Sequence, residues 1–168
     1  MQEIQTRPRD TGEIKAKLKS YGDLQRRIDL LITSLENLME EIDTLPTANF
    51  SGMPSGRGQK RPTKAERYTE KKDELEQKIS KLTRQERHLR KELEDMINLL
   101  ADPDEQGVLE MRYIDTQGWE PIAFSLFGML DEYEDNPERY MKRTFRVHGE
   151  ALQHLAAVFP PGSTTSLP

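Results

Sequence analysis

Residues 21–45 read YGDLQRRIDLLITSLENLMEEIDTL. Apolar side chains fall at Tyr21, Leu24, Ile28, Leu31, Leu35, Leu38, Ile42 and Leu45, in steps that alternate three and four without a break. On an α-helix this spacing keeps one narrow stripe turned toward a partner, the a/d seam of a coiled coil. Ile14 extends the pattern backward, and Pro46 ends it by disfavouring helical geometry in the residue before it. A second run follows at Tyr68, Leu75, Ile79, Leu82, Leu89, Leu93, Met96 and Leu100, with Lys72 and Glu86 filling its two missing apolar positions. A charge at such a position either fixes register at some cost in stability or lies beyond the contact zone. Each run is about 35 residues, roughly 50 Å of helix at 1.5 Å per residue. Equal length and a single connector predict an antiparallel hairpin. One hairpin has a narrow core, so homo-oligomerisation through it is expected, with the number of copies left open.

Composition agrees with long, solvated helices that bury one stripe each: 34% of the 168 residues are hydrophobic and 33% charged. Cysteine is absent, which excludes a disulfide framework and thiolate metal sites. The start of the chain is polar, and no stretch approaches the roughly 20 apolar residues of a membrane span. A cytoplasmic, membrane-free protein is the expectation. The net charge of −5 argues against nucleic acid only on average. Residues 102–138 hold eleven acids and the single base Arg112, after which Arg139, Lys142, Arg143 and Arg146 come with no acid before Glu150. The local field of a contacting face matters more than the total.

Residues 1–12 and 159–168 are expected to be disordered tails, and 13–101 the hairpin. Its connector, 46–62, is flexible in composition, with Pro46, Gly52, Pro54, Gly56, Gly58 and Pro62 among basic residues. Residues 102–158 form a separate small domain. Asp102-Pro103-Asp104-Glu105 reads as an N-cap, a proline at the first helical position and a capping acid three residues on. A short helix is expected from Trp119 to Phe127, stopping at Gly128. Asn136-Pro137-Glu138 then opens a last helix that reaches about Val158. No convincing strand pattern occurs, so the fold class is all-α: a long antiparallel helical hairpin followed by a small three-helix helix-turn-helix domain.

The last helix carries two stripes. Phe145, His148, Leu152 and Leu155 form an apolar one, and Arg139, Lys142, Arg143 and Arg146 a basic one that begins in the first turn. A helix that docks one side on a small core and offers cations from its N-terminal half is what a major-groove recognition helix requires. Arginine bridges guanine O6 and N7 or pairs with phosphate, while lysine acts as a point charge. Tyr140 and Thr144 are candidates for base or phosphate contacts. Cations near a helix N-terminus oppose its dipole, a cost that a DNA contact would justify.

The stretch VLEMRYIDTQGWEPIAFSLFG, residues 108–128, resembles the first two helices of sigma factor region four. That resemblance implies that Leu109, Tyr113, Trp119, Ile122 and Ala123 are core, with Ala123 permitting close helix packing. FRVHGEALQHL, residues 145–155, and Ser51-Gly52-Met53-Pro54 are similar to segments of a phage family of sigma-like regulators, related to late-gene activators of the RinA and ArpU type. The resemblance covers roughly residues 20–158 and implies promoter DNA as ligand and host RNA polymerase as a partner. One departure stands out. A tight helix-turn-helix joins its helices with three or four residues, whereas seven, 129–135, separate Gly128 from Asn136 here. The acids of this insertion would project away from DNA, contact a protein, or screen the basic stripe.

Other signals are weaker. The glycine-rich connector lacks the Gly-Lys-Ser/Thr order of a phosphate loop, but Arg57, Lys60, Arg61 and Lys64 could touch a nucleic-acid backbone. His88, His148 and His154 have no metal-ligand spacing and are expected at surface or rim positions. No catalytic, cofactor or metal site is expected. The leading expectation is a DNA-binding phage transcriptional regulator. Its rival is a coiled-coil adaptor whose degenerate helix-turn-helix binds protein, and a third reading is an RNA-binding or packaging accessory.

Overall fold

The computed structural model describes residues 11–45 and 63–158, and among these it is entirely helical. Two long helices, α1 (Gly12–Asp43) and α2 (Lys64–Ile97), precede α3 (Pro103–Leu109), a π-helical turn over Glu110–Ile114, α4 (Trp119–Phe127) and α5 (Pro137–Val158). Residues 1–10, the tail 159–168 and the connector, including Arg57, Lys60 and Arg61, lie outside the described residues, while Gly12, expected in the first tail, begins α1.

The chain divides into two compact units, one built from residues up to 24 and from 86 onward, the other from 25–85. This division differs from the boundary expected at 101/102. The base of the hairpin shares one hydrophobic core with the C-terminal helices, in which Ile14, Leu18, Tyr21 and Leu93 join Val108, Ile122, Ala151 and Leu155. Two short helices and α5 offer too little apolar surface to close a core alone, and the hairpin base supplies the missing wall.

Within the 25–85 unit, the seam positions are the covered ones. Ile28, Leu38 and Leu75 are buried, and Leu31, Leu35, Ile42, Tyr68, Ile79 and Leu82 half-buried. Lys72 stays at the edge of the seam and pairs with Glu76 at 3.7 Å. A capping box starts α2: Thr63 N–H donates to the Glu66 carboxylate (2.7 Å), and Glu66 N–H donates to Thr63 Oγ1 (3.2 Å).

In the other unit, Lys17 pairs with Glu92 and Tyr21 with Glu86, so α1 and α2 run antiparallel. The Tyr21 hydroxyl donates to Glu86 Oε1 at 2.5 Å. The charge at a seam position is therefore answered by a phenol across the pair, and it selects register as a buried polar contact does. Asp102 caps α3 by accepting from Asp104 N–H at 2.8 Å. Glu105, expected to close that cap, does not. It is buried, and one of its carboxylate oxygens accepts from His154 Nδ1 of α5 at 2.8 Å. A carboxylate facing the core needs a partner there more than the cap needs a second acceptor.

α4 begins and ends where the sequence places it, at Trp119 and Phe127. Gly128 is required by space: a Cβ there would come within 2.5 Å of Phe124 O and 2.7 Å of the Phe124 ring. Gly128→Ala is expected to destabilise the protein by about 1–3 kcal/mol, as overpacking does. A lower urea midpoint at unchanged m would register this.

Candidate nucleic-acid interface

α5 has two sides. Tyr140, Thr144, His148, Ala151, Leu152, Leu155 and Ala156 are buried, and Arg139, Lys142, Arg143 and Arg146 are exposed on the nearly opposite side. The four cations and an edge of Tyr140 line one open depression. Arg143 places its guanidinium 4.6 Å from the Phe127 ring centroid, which holds the side chain without neutralising it. Arg139 reaches Glu132 at 3.3 Å and Arg146 reaches Glu150 at 4.0 Å, all four side chains being mostly exposed. Such pairs are weak and screened by salt. Lys142 has no ion-pair partner among the described residues.

The buried face differs from the expected apolar stripe in ways that correct three assignments. Phe145 is 46% exposed, and its ring meets Trp119 edge-on at 4.9 Å rather than entering the core. Thr144, a candidate base reader, is fully buried, with its hydroxyl donating to Tyr140 O at 2.9 Å. A threonine that satisfies its own hydroxyl on the preceding turn can face a core and lets the helices approach closely. Tyr140, the other candidate, is also buried, between the rings of Phe127 (5.6 Å) and Tyr133 (5.4 Å). Thr144 is thereby turned away from any duplex, while Tyr140 reaches the cationic depression only in part.

Acidic residues 131–135 sit in a run of turns. Leu130 N–H donates to Phe127 O, Tyr133 N–H to Leu130 O and Asn136 N–H to Glu132 O. Tyr133 anchors the segment against Phe124 and Tyr140. Among the described residues Glu132 alone of these acids pairs with the basic stripe. The insertion thus adds length without covering Lys142, Arg143 or Arg146.

His148, expected on the apolar stripe and at a surface or rim position, is buried and borders an open cleft. Its Nε2 shares a 3.0 Å hydrogen bond with the Tyr113 hydroxyl, and its ring meets Trp119 edge-on at 5.0 Å. Burial first, then the charges of Lys15 and Arg112, pushes its pKa down to about 4. Burial likewise pushes the Tyr113 phenol up. His88 is exposed, and His154 is largely exposed beside Glu105. Lys64 opens α2 on the surface, 5.5 Å from the Tyr68 ring centroid, far along the sequence from the α5 cations.

A second cationic surface escaped the sequence reading. Lys15 and Lys19 of α1, with Arg112, Thr116 and Trp119, line an open cleft in the same unit as α5. Arg112 is fixed there: its guanidinium donates to Gln117 O at 2.8 Å and lies 4.7 Å from the Trp119 ring centroid. Thr116 takes the left-handed backbone conformation, φ 54°, to turn the chain into α4. The spacing of Lys15 and Lys19, one helical turn apart, was legible; that Arg112 joins them was not.

Of the residues implied to be core, Leu109, Tyr113, Ile122 and Ala123 are buried, while Trp119 is half-buried at the cleft. Residues 55–127 are similar to a family described as a protein of unknown function, DUF1492. The matched segment takes in α2, α3, the π turn and α4, and ends before the acidic turns and α5. No curated protein and no solved structure matches the chain. The class defined so far is an all-α protein with a long helix pair, smaller helices and an exposed cationic helix face. No helix among the described residues is long and apolar enough to cross a membrane.

Proposed function

We propose that the chain is a DNA-binding transcriptional regulator, sigma-like in its last helices, that acts on phage promoters in a bacterial cytoplasm with host RNA polymerase as a partner. The observation that carries this reading is the unmasked α5 face: Arg139, Lys142, Arg143 and Arg146 together on the side away from the core. A helix held from behind by apolar packing, with cations along its first three turns, has the form of a helix that enters a major groove. The burial of Leu109, Tyr113, Ile122 and Ala123 is in keeping with the sigma-like resemblance. No catalytic role and no cofactor are proposed.

A fluorescence-anisotropy titration on duplex promoter fragments tests the reading. Four phosphate contacts from α5 contribute a logarithmic salt slope of about −3 to −4. Salt-independent binding, or none to any duplex, overturns it.

One observation favours the adaptor reading. Phe124, Met129 and Leu130 are exposed beside the acidic turns, and an apolar surface rimmed by charge suits a protein partner. Retention of purified RNA polymerase by a chain that binds no duplex would select that alternative. Exposed Leu30, Ile32 and Met39 on α1 are in keeping with homo-oligomerisation through the hairpin, which sedimentation would detect.

A further inference from the structure

The cleft lined by Lys15, Lys19 and Arg112 lies outside the α5 face and is not part of the proposal above. Lys15 and Lys19 have no ion-pair partner among the described residues, and Asp23 is the one acid at the cleft. Three cations against one acid leave a local positive excess in a chain whose net charge is −5. Arg112 has spent one donor on Gln117 O and stacks over Trp119, so its orientation is set before any ligand arrives.

The cleft also contains a glycine that nothing inside the chain requires. Gly22 lies within α1, where glycine weakens a helix relative to alanine. A Cβ there would meet nothing within 4 Å. Its missing side chain leaves the cleft open beside Lys19.

The cleft meets α5 through Trp119 and His148. Trp119 forms its wall and packs edge-on against Phe145, which stands next to Arg146 in the helix and one turn from Lys142. A lone small anion has no need of that proximity. A duplex, in contrast, carries a phosphate row on each strand, one to offer to the N-terminal half of α5 and the other to the cleft.

We propose that this cleft takes a backbone phosphate of the bound DNA, so that the base of α1 forms part of the contact surface. This rests on the DNA-binding reading. Four phosphate contacts on α5 and one in the cleft then contribute a salt slope of about −4.5, and the Lys15→Gln/Lys19→Gln variant is expected to lose about 0.9 of that slope, the share of one contact. Gly22→Met adds bulk without changing charge, in a residue that favours helix. It is expected to weaken duplex binding about tenfold at low salt while the melting temperature is held or raised.

The full chain is titrated with duplex DNA over a range of salt, and in parallel its melting temperature is followed with sodium pyrophosphate. Wild-type binding with unchanged slope and affinity in both variants overturns the cleft assignment alone. Failure of the wild type to bind any duplex overturns the DNA-binding reading together with it. Pyrophosphate stabilisation that the variants lose, with duplex binding untouched, assigns the cleft to a free phosphate ligand and overturns the backbone contact.

Discussion

Charge reversal at Arg143 is expected to weaken duplex binding by one to two orders of magnitude, the roughly 1–3 kcal/mol of a lost contact. Arg143 is exposed on the cationic face, 4.6 Å from the Phe127 ring that orients it. Arg143→Glu therefore removes an ordered cation and sets an anion against phosphate. Because the same change also removes the contact with Phe127, Lys142→Glu is the companion variant. Lys142 has no ion-pair partner among the described residues, so its reversal changes the field with little effect on folding. Both variants should reduce affinity by a similar factor across unrelated sequences if the contact is to phosphate. A loss confined to one sequence would mark Arg143 as a base reader. Wild-type affinity in both would remove α5 from the interface.

Acid is expected to destabilise the fold through His148 by about 3 kcal/mol in total. The imidazole is buried among Tyr113, Trp119 and α5, with Lys15 of α1 and Arg112 of the π turn facing it. Its folded pKa of about 4 lies below the ordinary 6.5. Between those values the unfolded chain binds a proton that the folded chain refuses. The stabilisation is thus complete above about pH 6.5, declines as pH falls, and is gone below about pH 4. Other groups titrate in the same range, so the readout is a difference. His148→Gln keeps a polar partner for Tyr113 and should lose roughly 2–3 kcal/mol less than wild type between pH 7.5 and 4.5. Parallel pH profiles would contradict the buried, neutral imidazole.

The helices were legible because their signals are local. Three–four spacing, unbroken in α1 from Tyr21 on and interrupted twice in α2, wrote out the long pair, and the proline after each cap marked the starts of α3 and α5. Each depends on residues within a turn or two of one another. The exposed cations were legible for the same reason: residues three and four apart share a side of a helix whatever surrounds it. The pairing of side chains across helices was not. Glu105 read as a cap and became a core partner of His154, and Glu86 read as an interruption and became the acceptor for Tyr21.

Sequence by itself determined the all-helical class, the long pair, the end of α4 at Phe127 and the grouping of Arg139, Lys142, Arg143 and Arg146. Tertiary structure alone decided which part of α5 faces inward, turning Thr144 and most of Tyr140 to the core and leaving Phe145 at the rim. It also decided that the base of α1 closes the core beneath α5 and brings Lys15 and Lys19 beside Arg112. Periodicity names a stripe, but which residues of it are covered depends on where small side chains let neighbouring helices come close. That is set by elements more than a hundred residues apart in the chain.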